Sequence, residues 1–406
     1  MAGGEWTVNS ELILRGHIVS ATLDVPDGVV AVDGGVVTFA GPAAEFPGVL
    51  PDQAAAPGFL LPGLVDLHCH GAHGSDFSEG NADGARHAAR YLHSRGTTTL
   101  LASIVTGQPG QLVRNLSALR GLAGEGLIAG SHLEGPFLST EQCGAHDTAL
   151  LLDPDPGLVS GFLGAAGESM VSMTLAAELS GAFELVDLLA ARGIIPSLGH
   201  TAADHPTAAA FLKRAAGGLV AGGHSMGRRR PTVTHLFNAM PPLHHRSPGP
   251  VAACLSAARA GEAVVELIAD GVHVAPETVQ LVFALVGADN IALVTDSMAA
   301  TGLDDGQYRL GSLSVTVDQG VARVDATGAI AGGTSTLLEV LRTTVAAGVS
   351  LRDAVTSASA VPASVLGLSA QAGDLRPGMP ADVLVLDQDL KLARVLRKGA
   401  WVTSSG

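Results

Sequence analysis

The chain has 406 residues, of which 47% are hydrophobic, 15% charged and only 3% aromatic. It can bury a large core rich in Ala, Val and Leu, which excludes wholesale disorder. Its net charge of −15, with 23 basic residues, argues against a phosphate-backbone partner, so no nucleic acid is expected.

At the start, MAGGEWTVNSEL has neither a basic region nor an apolar run, so no secretory leader is read there. Short β runs follow: Leu12–Leu14, His17–Val19, Val29–Val32 and Val36–Phe39, with Asp33-Gly34 as a hairpin turn. From about residue 62 to 365, apolar runs alternate with Ala/Leu-rich helical stretches. The predicted strands are Leu64–His70, Thr97–Ile104, Ile128–Glu134, Val171–Ala177, Ile194–Gly199, Thr232–Phe237, Val264–Ala269 and Asn290–Thr295. Eight such units predict an α/β fold, a (β/α)₈ TIM-type barrel. β runs return at Asp382–Leu386, Ala393–Leu396 and Ala400–Val402. The expected architecture is a barrel over 62–365 and a small β-sandwich domain assembled from 1–61 and 366–406. Arg228-Arg229-Arg230 reads as a solvated loop within an insertion, Ala221–Pro231. Cys69, Cys143 and Cys254 are too few and too far apart for a disulfide framework, which points to a reducing, cytoplasmic setting. No apolar run reaches the roughly 18 residues of a membrane span.

Five of the strand candidates end in polar residues: Asp66-Leu67-His68-Cys69-His70, His132-Leu133-Glu134, Leu198-Gly199-His200, Thr234-His235 and Thr295-Asp296. In a barrel these ends share one rim, where active sites form. Strand alternation puts His68 and His70 on one face, about 6.6 Å apart, and turns Cys69 away as a packing residue. Each of these residues alone would be ordinary: a packed histidine, a turn glutamate, a helix cap at Asp296. Their meeting at one rim is the signal. Imidazoles with carboxylates suit a divalent cation, Zn²⁺ first, with Fe, Co or Mn also suited. Some two-metal barrels bridge their ions with a lysine, but Lys213 reads as helical and Lys391 and Lys398 fall in the terminal β region, so Glu134 becomes the shared ligand. Asp296 is the candidate general base. His273, after the seventh run, is a further ligand or a substrate contact. Arg246, in a Gly/Pro-rich loop with His244 and His245, offers a fork for phosphate or carboxylate. His73 and Cys143 read as loop residues, and the loop carrying His146 is placed to cover the site.

Pro62–Gly71 resembles the opening signature of the amidohydrolase superfamily, and Gly373–Asp382 its closing one. His132-Leu133-Glu134-Gly135-Pro136-Phe137, Thr234–Pro241, Asp270-Gly271-Val272-His273 and Thr295-Asp296 are similar to its N-acetylglucosamine-6-phosphate deacetylase family. The likeness covers nearly the whole chain. It implies that Glu134, His200 and His235 hold the principal cation and that Asp296 shuttles the proton. It also implies that Asn238, Ala239 and Arg246 meet the sugar phosphate, with Arg246 reaching across a homodimer. Asp270 and His273 would meet the sugar, and Ala145, His146, Ile330, Ala331 and Gly332 would line the pocket. Where some members carry Gln-x-Asn, this chain has His68 and His70, so one or two cations per subunit are implied. Ala331-Gly332-Gly333 departs from the family's Ala-Gly-Ser.

The implied reaction is hydrolysis of the acetamide of N-acetylglucosamine 6-phosphate, in amino-sugar catabolism and cell-wall recycling. Water activated at the cation attacks, Asp296 moves the proton, and the cation with His273 stabilises the oxyanion. The alternatives are the galacto epimer as substrate, another amidohydrolase reaction such as a deaminase or cyclic amidase, and a non-enzymatic barrel scaffold. The last would be expected to lose ligands that this chain keeps.

Overall fold

A computed structural model describes residues 11–50, 58–223 and 229–403. Eight parallel strands pair in chain order: Leu64–Cys69, Thr97–Ile104, Gly130–Glu134, Met170–Leu175, Ile195–Leu198, Thr232–Val233, Val264–Leu267 and Ile291–Leu293. Helices alternate with them. Asn81, Asp155 and Asp204 each accept the first free backbone N–H groups of a helix, and proline opens several helices where no donor is needed.

The circle closes beyond the end of the eighth strand. The Asp296 amide donates to the His68 carbonyl at 2.9 Å, and the His70 amide to the Ser297 carbonyl at 2.7 Å. Below this seam, Asp66 accepts from the Thr295 hydroxyl at 2.6 Å and the His68 amide at 3.1 Å. Val65, Ile195, Val264 and Ala292, near the starts of their strands, cluster with Val361, Ala363 and Val365. The barrel therefore has an apolar floor. Higher up it is filled by polar side chains: Ser103, His132, Thr174, Thr234, Ser197 and Thr232 form one continuous hydrogen-bonded chain.

The sixth strand is shorter than the run Thr232–Phe237 predicts. His235, Phe237 and Ala239 have φ of 29°, 79° and 50°, outside the β region, so the chain turns after Val233.

The chain ends meet in one seven-stranded sheet. Leu12–Val19, Asp24–Asp33, Val36–Pro42 and Phe59–Pro62 join Val383–Leu386, Leu392–Arg397 and Ala400–Trp401. Its edge at Val37 bonds to Gly378 and Met379, and Gly399 packs so closely on Gly35 that a Cβ there would lie 2.3 Å from the Gly35 Cα. The two layers of the small β unit are thus one sheet curled over Ile18, Val30, Val32, Leu60, Val383 and Leu396.

A further antiparallel sheet, Gly306–Leu310, Leu313–Asp318 and Val321–Val324, follows the eighth barrel strand. Its signal is plain in hindsight: alternating burial over Leu313–Asp318, with Gly311-Ser312 and Gln319-Gly320 as turns. Of the arginine run, Arg228 lies outside the described residues. The solvated-loop reading is corrected for the other two. Arg229 donates to the carbonyls of Gly193 and Leu366, and Arg230 to Asn290 and Asp289. Among the described residues, no helix is long and apolar enough to cross a membrane.

Candidate active site

All six predicted ligands converge at the C-terminal rim of the barrel. His68 and His70 end the first strand and Glu134 ends the third. His200, His235 and Asp296 follow the fifth, sixth and eighth strands. The last three have φ of 49°, 29° and 50°, left-handed values that non-glycine residues adopt at a cost of about 1–3 kcal/mol. Bonds from the surroundings hold them there: the Ser139 amide donates to the His200 carbonyl, the His235 amide to Glu266, and the Gly333 amide to the Asp296 carbonyl.

Glu134 lies at the centre. Its Oε1 is 3.1 Å from both His200 Nε2 and His235 Nε2. Its Oε2 is 3.1 Å from His70 Nε2, 3.4 Å from His146 Nε2 and 3.6 Å from His68 Nε2. Asp296 Oδ1 is 3.1 Å from His70 Nε2 and 3.4 Å from His68 Nε2. Among the described residues, two groups have the spacing of a cation's ligands: His68, His70 and Asp296, and Glu134, His146 and His200.

The donor set fits a divalent cation. His68 and His70 place their Nε2 atoms 3.0 Å apart, and His200 and His235 place theirs 3.1 Å apart. A single proton can join each pair of rings, but a cation can accept both lone pairs of a pair together with the carboxylate oxygens beside them. Without a cation, protons take its place. Burial opposes protonation of His70, but the hydrogen bonds it donates to Asp296 and Glu134 push it up to about 9. Burial likewise works against ionised Asp296 and Glu134, yet the surrounding imidazoles hold both well below the usual carboxylate range.

The cluster forms the bottom of a cavity of about 260 Å³. Ala145, Asn238, Ala239, Ile330 and Gly332 line its walls. His273 also faces the cavity. Its Nδ1 is 2.8 Å from Asp270 Oδ2, so Asp270 acts on the cavity through His273. Burial lowers the His273 imidazole, but the Asp270 bond outweighs it and the net shift is upward. An imidazolium there points an N–H into the cavity. Ala331 is fully buried behind the wall among Met298, Val315 and Val324. Arg246 is exposed and is not part of the cavity wall of its own chain; it contacts His245 Nε2 at 2.8 Å.

His146, read from sequence as a wall residue, lies against the central carboxylate. Cys69 is buried and donates to the Leu101 carbonyl, away from the site, and His73 pairs with His87 in an outer turn. No helix begins at Asp296, so it caps nothing. Val105 and Leu310, apolar wall residues, and Glu266, a buried carboxylate touching His68, are not among the sequence candidates, and His132, named there only as part of a strand end, also packs on His68. Glu266 lies within a buried strand run, Val-Val-Glu-Leu-Ile, and a carboxylate there was the available signal.

Residues 59–403 match the model of the amidohydrolase family. The chain belongs to the amidohydrolase family. Members of this family that resemble it include the N-acetylglucosamine-6-phosphate deacetylase of Bacillus subtilis, 34% identical over 94% of each chain. The human enzyme of the same name is 34% identical over 84% of this chain and 83% of its own. Among solved structures, a mutant N-acetyl-D-glucosamine-6-phosphate deacetylase from Mycobacterium smegmatis, in complex with N-acetyl-D-glucosamine-6-phosphate, superposes with a TM-score of 0.87. It is 38% identical over 98% of this chain and 100% of that one. The Thermotoga maritima N-acetylglucosamine-6-phosphate deacetylase matches with a TM-score of 0.82 at 30% identity, over 97% of this chain and all of that one. Family membership and the clustered ligands together make this a divalent-metal site.

Proposed function

We propose that this amidohydrolase removes the acetyl group from N-acetylglucosamine 6-phosphate, releasing acetate and glucosamine 6-phosphate. One observation carries the reading: a carboxylate, Asp296, and an imidazole, His273, share a cavity with a cation-ligand cluster in a chain whose relatives bear that name.

A bound divalent cation supplies Lewis acidity, which polarises a carbonyl and makes water a stronger acid. Zinc is the proposed ion, with imidazole and carboxylate donors in its usual range. His68, His70, Glu134, His200, His235 and Asp296 are the proposed ligands, enough for one or two ions. Asp296 takes a proton from the attacking water as the new C–O bond forms. His273, held by Asp270, donates to the acyl oxygen as negative charge develops there. Asp296 then hands its proton to the nitrogen, because an amide nitrogen leaves poorly as an anion, and the C–N bond breaks. Asn238 and Ala239 are proposed to border the sugar phosphate. Arg246, absent from its own cavity wall, is proposed to reach the phosphate of a partner subunit in a homodimer.

The test is acetate release from N-acetylglucosamine 6-phosphate, its unphosphorylated counterpart and the galacto epimer. The phosphorylated gluco sugar is expected to turn over fastest. Equal rates with and without phosphate would remove Arg246 from its role; no acetate from the zinc-loaded protein would overturn the assignment.

A further inference from the structure

We propose that Glu266 is a positioning residue that prepares both ligand groups to take a cation. The inference rests on the cation site of the reading above, but not on the substrate. Glu266 sits in the seventh barrel strand, Val264–Leu267, and is 4% exposed. Its Oε2 is 3.1 Å from His68 Nδ1 and accepts the His235 backbone N–H at 3.4 Å. Its own carbonyl accepts the Leu236 amide at 2.9 Å. One buried oxygen thus touches His68, of the first group, and the backbone of His235, whose ring lies 3.1 Å from His200 and Glu134 of the second.

The chemistry follows from the two ring nitrogens. Glu266 accepts the proton on Nδ1, so the Nε2 lone pair of His68 is left facing Glu134 and Asp296. A carboxylate at Nδ1 also makes the imidazole a stronger base, and therefore a stronger ligand. Of the first-strand pair only His68 has such a support, since the buried Nδ1 of His70 has no hydrogen-bond partner. His235 is supported differently. Its side-chain Nδ1 is also without a partner, and its backbone is left-handed. The bonds from the His235 and Leu236 amides to Glu266 hold that turn in place.

The experiment strips the full-length protein with a chelator and titrates zinc back under a competing fluorescent chelator, reading affinity and ions bound per chain. E266Q keeps an oxygen acceptor but loses the charge; E266A loses both. Zinc affinity is expected to fall about tenfold in E266Q and up to about a hundredfold in E266A, the range found when supports of metal-bound histidines are removed. Folding of each zinc-free variant is checked by circular dichroism. Should E266A fail to fold, E266Q decides alone. Wild-type zinc affinity in folded E266Q overturns the proposal. Acetate release plays no part in this readout, so failure of the substrate assignment leaves the result interpretable.

Discussion

Asp296 shows how far a single side chain depends on its surroundings. It extends past the eighth strand in a left-handed turn, bonded through its backbone to His68 and Gly333, with its carboxylate against His68 and His70. Asp296→Asn keeps the shape and one ligand oxygen but cannot carry a proton. Its kcat is expected to fall by about 10²–10⁴-fold while zinc content, read by elemental analysis, stays near wild type; near-normal turnover would contradict the proton-carrying role. Asp270→Asn removes the carboxylate that raises the His273 imidazole. The protonated donor then disappears at lower pH, so the alkaline limb of the kcat/KM profile should move toward acid. Gly333, where the family pattern has Ser, packs tightly against the closing seam: a Cβ there would lie 2.4 Å from the Thr295 carbonyl oxygen. Gly333→Ala is expected to cost about 1–3 kcal/mol in a denaturant titration, because the Thr295–Ser297 seam must shift to admit it.

Elements that carry the wall of the cavity are held by apolar packing and by their ends. The helix Leu337–Ala346 follows the wall segment around Gly332. It opens with a capping box in which the Thr336 amide donates to Glu339 at 2.7 Å. Thr336→Ala should destabilise the protein by about 0.5–2 kcal/mol, measured by thermal unfolding. At this scale the sequence was readable where periodicity was long. Seven of the eight barrel strands lie within their predicted runs apart from trimmed ends, and the fourth starts one residue early, at Met170, because each is an apolar segment bounded by turn residues. The sixth strand was overextended because Thr-His-Leu-Phe has β-forming residues, while its left-handed turn serves His235. The three-stranded insertion is less legible because its strands are only 5, 6 and 4 residues long and largely exposed on one face.

For the whole molecule, the ligand positions were legible because strand ends in a barrel share a rim, whatever their spacing in the chain. The approach of His146 to Glu134 and the place of Glu266 were not, because His146 comes from a loop read only as a pocket wall and Glu266 looks like a stray charge in a core strand. The assembled cluster links metal, protons and stability. The zinc-loaded protein should melt above the chelated one, since zinc at 100 times its Kd contributes about 2.7 kcal/mol. In the cation-free protein His70 is raised to about 9, so its stabilisation is complete below the unfolded value near 6.5 and is lost as pH rises through about 9. Cation binding needs those imidazoles unprotonated. The gap between loaded and chelated melting temperatures should therefore widen from pH 6 to pH 9; a gap that narrows would contradict the competition. The barrel's closing seam has a consequence for synthesis. His68 emerges from the ribosome more than two hundred residues before Asp296, so a nascent chain offers the first group an incomplete set of donors until the eighth strand is made. Cation capture by that group is then a late event, one that marks a chain whose two barrel edges have found each other.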